Sequence, residues 1–207
     1  MLKAMSSGSL TIDYTATVGG SAPAPVVSAH DRYRYALPSR YCESDQLGPI
    51  ARSEFAGLDG RPLLDAISSW VGASLSYLPG SSRATDGAVT TMLSREGVCR
   101  DYAHLAVALL RALGVPARVA SVYAPGLVPM DFHAVSEAFL DGNWWVVDPT
   151  TLAPRPSLVR IATGVDATET AFLTTLRGQT QLNEVIVTAI AEPMLPTDDL
   201  TELVALG

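Results

Sequence analysis

Lysine is almost missing from this chain: among 207 residues, Lys3 is the only one. Arginine supplies the rest of the 14 basic residues, against 21 acidic ones, for a net charge of −7. A general nucleic-acid binder carries the opposite sign, and no polybasic stretch exists to meet anionic lipid. No apolar run approaches the roughly 18 residues that a membrane-spanning helix needs. The first twenty residues hold no apolar core of a secretory signal, so the expected setting is cytoplasmic. Cysteine is nearly as scarce. Two residues, Cys42 and Cys99, exclude a disulfide framework and a four-cysteine zinc site. Charged residues are only 17% of the chain and hydrophobic ones 48%, which excludes a disordered polymer. A chain of this length folds as one domain with arms and buries roughly 70% of its unfolded surface.

The pattern along the chain divides it into a lead (1–32), a core domain (33–191) and a tail (192–207). Leu10 to Val18 alternates as a short strand, Gly19 to Pro25 reads as a linker, and Val26 to Leu37 holds a second short strand. Pro38 to Gly60 looks irregular. A helix is predicted from Pro62 to Ser76, where Leu63, Ile67, Trp70, Val71 and Leu75 form one apolar stripe. A short helix covers Ala88 to Arg95. The best-defined helix runs from Cys99 to Leu113 and is apolar on most sides, as a buried helix is. Gly114 suits its C-terminal cap, and Pro116 stops it. Strands follow at Ala117–Tyr123, His133–Leu140 and Asn143–Val147, the last two joined by the turn signal Asp141-Gly142. A Pro-rich loop covers 150–156, a helix is predicted at Ala167–Leu176, a strand at Glu184–Ala191 and a short amphipathic helix in the tail. Helices followed by a run of antiparallel strands describe the α+β class.

Chemistry concentrates at Cys99, which sits in Gly97-Val98-Cys99-Arg100-Asp101 at the start of the buried helix. A helix N-terminus carries partial positive charge and unpaired N–H groups. Such a site lowers a thiol from its usual pKa of about 8.5, and the same N–H groups can hold an oxyanion. The alternative is a cysteine that packs as a small hydrophobe. A thiolate nucleophile needs a base, and there are three histidines. His104, five residues on, lies roughly 140° round the helix from Cys99, which makes it a packing or hydrogen-bonding residue. His30 has no evident orienting group. His133 opens a strand, and Asp148 closes the next.

The hairpin register can be derived from its turn. With Asp141-Gly142 as the two-residue loop, Leu140 pairs with Asn143 and Val135 with Asp148. His133, Val135, Glu137 and Phe139 then share a sheet face with Trp144, Val146 and Asp148. Asp148 is diagonal to His133 and within reach of it, whereas a slip of one residue would send it to the opposite face. Glu137, two residues along the same strand, is the rival partner. Asp148 is preferred because it ends its strand, where a carboxylate stays solvated. Nucleophile, base and orienter thus form a Cys-His-Asp triad.

These residues resemble a known family. Gly-Val-Cys-Arg-Asp-Tyr-Ala-His-Leu (97–105) and Leu-Arg-Ala-Leu-Gly-Val-Pro-Ala-Arg-Val (110–119) are similar to the core of the transglutaminase-like superfamily. Phe-His-Ala-Val (132–135) and Trp-Trp-Val-Val-Asp-Pro-Thr (144–150) resemble its histidine and aspartate blocks, and segments 37–45 and 160–167 resemble bacterial members. The resemblance implies a papain-like fold, with a central helix bearing the cysteine packed on an antiparallel sheet bearing His and Asp. It carries Cys99, His133 and Asp148 over as nucleophile, base and orienter, and implies thioester chemistry at an amide carbonyl.

The expected activity is therefore a thiol-dependent hydrolase of peptide or amide bonds, with a peptide or protein as substrate. A glutamine transglutaminase and a catalytically inactive binding module are the alternatives, and the intact triad argues against the last. The second oxyanion donor is expected upstream: Tyr77 is the candidate, because relatives often carry an aromatic donor there, and Trp70 is the runner-up. Core packing is the default for Trp144 and Trp145, and Cys42 is expected to be structural. No cofactor or metal is expected: nothing reads as an Asp-x-Asp-x-Asp-Gly calcium loop or as the paired CxxC zinc site of deglycosylating relatives.

Overall fold

The segment that begins at Cys99 folds as a helix, α5 (Cys99–Ala112), and every residue from Asp101 to Arg111 is buried. The computed structural model describes residues 8–20 and 26–206, and α5 is the centre of its core. Gly114 takes a positive φ of 81° just past the end of α5, the conformation a glycine cap supplies. Before α5 come α1 (Ala29–Arg34), α2 (Ser44–Glu54), α3 (Gly60–Ser74) and α4 (Ala88–Ser94). A short parallel pair, β1 (Ser76–Tyr77) and β2 (Glu96–Gly97), lies among them. Helices α2, α3 and α4 all pack against α5. The stripe Leu63, Ile67 and Val71 is buried as its helical spacing requires, with Leu64 beside it.

After α5 the chain forms β3 (Ala117–Tyr123), β4 (Phe132–Leu140), β5 (Asn143–Val147) and β6 (Val159–Gly164). These make an antiparallel four-stranded sheet in the order β5-β4-β3-β6. Alternation divides its side chains between two cores. Ala117, Val119, Ala138 and Val147 join the helical core around α5. Ala120, Val122, Val135 and Val146 form a second cluster with Leu158 and Leu206 on the opposite face. The result is the α+β, papain-like arrangement: a central helix packed on one face of an antiparallel sheet.

Several local expectations change. Leu10–Val18 is not a strand, and Leu10, Ile12, Tyr14 and Val18 are exposed: alternation alone cannot hold a strand that finds no pairing edge. The lead carries a helix instead of a second strand, because Ser28 and Asp31 form a reciprocal cap at the start of α1. The segment taken as irregular contains α2. Gly48 and Pro49 disguise it, but burying Leu47 and Ala51 outweighs the backbone bond lost at the proline. The helix predicted at Ala167–Leu176 shortens to α6 (Ala167–Thr170). Glu184–Ala191 forms no strand, and Ile186 and Ile190 are exposed.

The tail is not helical either. It docks as an extended strap: Val146 N–H donates to the Val204 carbonyl (2.8 Å), Leu206 is buried, and Asp198 pairs with Arg155. Edge-strand pairing and that ion pair replace the amphipathic helix. Strands β1 and β2, of two residues each, and β6 lie in segments whose local pattern does not mark a strand. Residues 1–7 of the lead and 21–25 of the linker lie outside the described residues.

Candidate active site

Helix α5 and strand β3 are joined by the short turn 113–116 and run back along each other. Fourteen helical residues rise about 21 Å and seven strand residues about 23 Å, so the start of α5 is level with the end of β3 and the start of β4. Topology therefore brings Cys99 and His133 to the same end of the molecule. At that level, where Val122 pairs with His133, the register of β3 against β6 shifts between Ser121 and Val122. Such bulges bend a strand and re-aim side chains beside active sites.

The start of α5 is fixed by its own sequence. Asp101 is buried and accepts the Val98 N–H (2.9 Å), which organises the turn that presents Cys99. Arg100 donates to the same carboxylate (3.0 Å), to Ser82 Oγ and to the Arg83 carbonyl (2.8 Å), tying the loop before α4 to the helix start. Gly97 pairs with Tyr77 across the β1–β2 ladder. That ladder carries Tyr77 to the neighbourhood of Cys99, two residues beyond Gly97. Burial, and then the nearby Cys99 side chain, push the Tyr77 hydroxyl up to about 12, so it keeps its proton at neutral pH. Tyr77 is nevertheless 41% exposed. Trp70, the other predicted donor, instead donates to Glu54 (3.1 Å) and packs edge-on against Phe55.

The hairpin adopts the register derived from its turn: Leu140 pairs with Asn143 and Ser136 with Val147, so Val135 and Asp148 are the next opposing residues. His133 Nε2 lies 3.4 Å from Asp148 Oδ2, and both side chains are buried. Burial alone would push His133 down. The hydrogen bond to Asp148, with the proximity of Cys99 and the Asp148 charge, outweighs it and holds the imidazolium up to about 10. Nδ1 is buried and makes no close hydrogen bond. With Nε2 occupied by Asp148, Nδ1 is the ring nitrogen left for the thiol. The rival carboxylate is otherwise engaged: Glu137 accepts from Arg118 Nε (2.7 Å) and Arg160 Nη2 (3.0 Å).

The remaining candidates fall outside this group. His104 is fully buried, accepts the Ala167 N–H on Nε2 (3.1 Å) and stacks on Tyr41. His30 is exposed on α1. Cys42 is a free thiol in the core, pushed up to about 12 by burial. Trp144 is buried under the Arg118 guanidinium, and Trp145 donates to the Leu140 carbonyl (3.0 Å). Sequence reasoning passed over Thr150, which bonds Asp148 and approaches His133. The only signal was its place in Asp148-Pro149-Thr150. Among the described residues, no group of His, Cys, Asp and Glu side chains has the arrangement of a metal site.

Residues 59–149 match the family model of the transglutaminase-like superfamily. That stretch is similar to a transglutaminase-like core. It runs from the start of α3 to the residue after Asp148 and contains Tyr77, Cys99 and His133. Curated relatives include an uncharacterized protein of Mycobacterium leprae, 29% identical over 61% of this chain and 49% of its own length. Another, from Mycobacterium tuberculosis, is 39% identical over 32% of this chain and 22% of its own. The chain thus spans half or less of the curated relatives it matches. A crystal structure from Cytophaga hutchinsonii, named a "putative cysteine protease", superimposes with a TM-score of 0.73 at 36% identity, over 86% of this chain and 62% of that one. The periplasmic domain of TgpA from Pseudomonas aeruginosa shares the fold at 24% identity, with a TM-score of 0.50 over 61% of this chain and 51% of that domain. Among the described residues, no helix is long and apolar enough to cross a membrane.

Proposed function

We propose that the protein is a thiol-dependent hydrolase of peptide or amide bonds that works through Cys99, His133 and Asp148. The observation that carries this reading is geometric: buried His133 lies 3.4 Å through Nε2 from Asp148 Oδ2 and keeps its buried Nδ1 without a hydrogen-bond partner, at the end of the molecule where α5 begins with Cys99. A thiolate beside an imidazolium is a nucleophile ready at neutral pH. The likeness at 36% identity to a protein named a "putative cysteine protease" supports the same direction.

The Cys99 sulfur attacks the carbonyl carbon, and the carbonyl electron pair moves to oxygen. The Cys99 backbone N–H and the Tyr77 hydroxyl are the donors proposed for that oxyanion. His133 gives its Nδ1 proton to the leaving nitrogen as the C–N bond breaks, leaving a thioester on Cys99. His133 then takes a proton from water, the hydroxide attacks the thioester, and the acid departs as the thiol is restored. Asp148 fixes the ring throughout, so the proton moves on one nitrogen only.

If a primary amine replaces water at the thioester, the same residues perform transglutamination. Incubation with a glutamine-rich carrier protein and a fluorescent amine separates the two. The hydrolase reading expects new amino termini or ammonia, lost in Cys99→Ala, and little label in the carrier. Label incorporation that depends on Cys99 would make the protein an acyl transferase instead.

A further inference from the structure

Thr150 donates twice to one oxygen of Asp148: its backbone N–H lies 2.9 Å and its hydroxyl 2.7 Å from Oδ1. That oxygen is filled, which leaves Oδ2 for His133 Nε2 at 3.4 Å. The Thr150 hydroxyl oxygen itself lies 3.4 Å from the same Nε2. Its single proton is committed to Asp148, so it presents only lone pairs to the imidazole. Both polar neighbours of Nε2 are then acceptors, and Nε2 must carry a proton. In the neutral ring this leaves Nδ1 bare, on the nitrogen that has no other hydrogen bond.

The segment that carries Thr150 is held from behind. A Cβ on Gly72 of α3 would fall 2.7 Å from the Pro149 carbonyl oxygen, so the helix backbone is seated directly on the Asp148-Pro149-Thr150 turn. The other groups facing His133 are already accounted for: Cys99 from α5, Val122 opposite it on β3, and Glu137 neutralised by Arg118 and Arg160.

We infer that Thr150 is a positioning residue of this site: its hydroxyl orients the Asp148 carboxylate and fixes the His133 tautomer so that Nδ1 serves Cys99. The inference rests on the reading of Cys99, His133 and Asp148 as nucleophile, base and orienter. Only the hydroxyl half of the device depends on the side chain, since the backbone N–H remains in any variant.

The test compares wild type with Thr150→Val, which keeps the shape and removes the hydroxyl, and Thr150→Ser, which restores it. Iodoacetamide alkylation of Cys99 is followed from pH 5 to 9, and the His133 ring protons are observed by NMR. Thr150→Val is expected to slow alkylation below pH 7 about tenfold and to weaken or lose the Nε2–H signal, at an unchanged melting temperature. Thr150→Ser should recover both. On a cleaved substrate, kcat should fall while KM holds. If Thr150→Val does not fold, Thr150→Ala takes its place.

Two outcomes overturn the inference: a Thr150→Val (or Ala) profile identical to wild type, or a Ser variant as slow as the Val variant. A different result bears on the underlying reading. If wild-type Cys99 reacts at pH 6 no faster than a small free thiol, the activated nucleophile itself is wrong.

Discussion

Gly97 and Asp101 touch across the first turn of α5: a Cβ on Gly97 would fall 2.7 Å from Cβ of Asp101 and 3.0 Å from its Oδ2. The same Oδ2 accepts the Val98 N–H at 2.9 Å. Gly97 is therefore required by space, and the carboxylate it admits sets the backbone that presents Cys99. Gly97→Ala should displace that carboxylate. We expect a loss of about 1–3 kcal/mol in urea unfolding, as for overpacking a core, together with slower Cys99 alkylation. A variant that alkylates and unfolds like wild type would show that the turn does not depend on this contact.

Removing the charge of Asp148 should lower the pKa of His133. The imidazolium is held up against burial by Asp148 and Cys99 together. Asp148→Asn is expected to shift the His133 titration in NMR well below about 10 and to slow alkylation near pH 7. The linkage has a definite sign. A folded pKa above the usual 6.5 contributes stability that is complete below 6.5 and is lost as pH rises through about 10. Wild type should lose stability over that window, and Asp148→Asn should lose less. An equal slope in the two proteins would exclude Asp148 as the partner.

His104 predicts the opposite dependence. Burial pushes it down to about 4 from 6.5, so the folded protein holds it neutral while the unfolded chain takes up a proton. This contributes stability above pH 6.5 that is lost as pH falls toward 4, roughly 3 kcal/mol at most. His104→Gln should be less stable at pH 7 but show a flatter decline between pH 6.5 and 4. A decline as steep as that of wild type would assign the acid sensitivity to other groups.

The strap formed by the tail can be released at one ion pair. Arg155 donates through Nε, Nη2 and its backbone N–H to Asp198, and through Nη2 to the Asp199 carbonyl. Asp198→Ala leaves a largely buried guanidinium without its carboxylate, at a cost of about 3 kcal/mol. The expected result is a lower urea midpoint and earlier amide exchange at Val146, whose N–H bonds Val204. Unchanged exchange at Val146 would show that the strap docks without this anchor.

The candidate site was more legible than the edges of the fold. Asp141-Gly142 set the hairpin register, and that register put Asp148 beside His133 rather than on the far face. Helix α5 was legible because Cys99–Ala112 combines an apolar run from Leu105 to Leu110 with a glycine stop. Elsewhere local pattern misled. Leu10–Val18 and Glu184–Ala191 alternate like strands but have no edge to join, while α2 contains a Gly-Pro pair that local rules assign to a turn. Asp148 lies beside His133 as the register implies, but it is not solvated there. Both carboxylates are buried, and what separates them is the pair of arginines that holds Glu137.

The sequence by itself determined the helix that starts at Cys99, the hairpin and its register, and the identity of the side chains that could act as nucleophile, base and orienter. Each depends on contacts between residues close along the chain, where period and turn chemistry decide the outcome. Only the tertiary structure decided that the start of α5 meets the start of β4, that Tyr77 reaches the neighbourhood of Cys99 through a two-residue ladder, that Thr150 fills one oxygen of Asp148, and that the tail closes the second core. Those contacts join segments whose local preferences carry no record of one another, and burial and hydrogen-bond satisfaction across the whole fold select them.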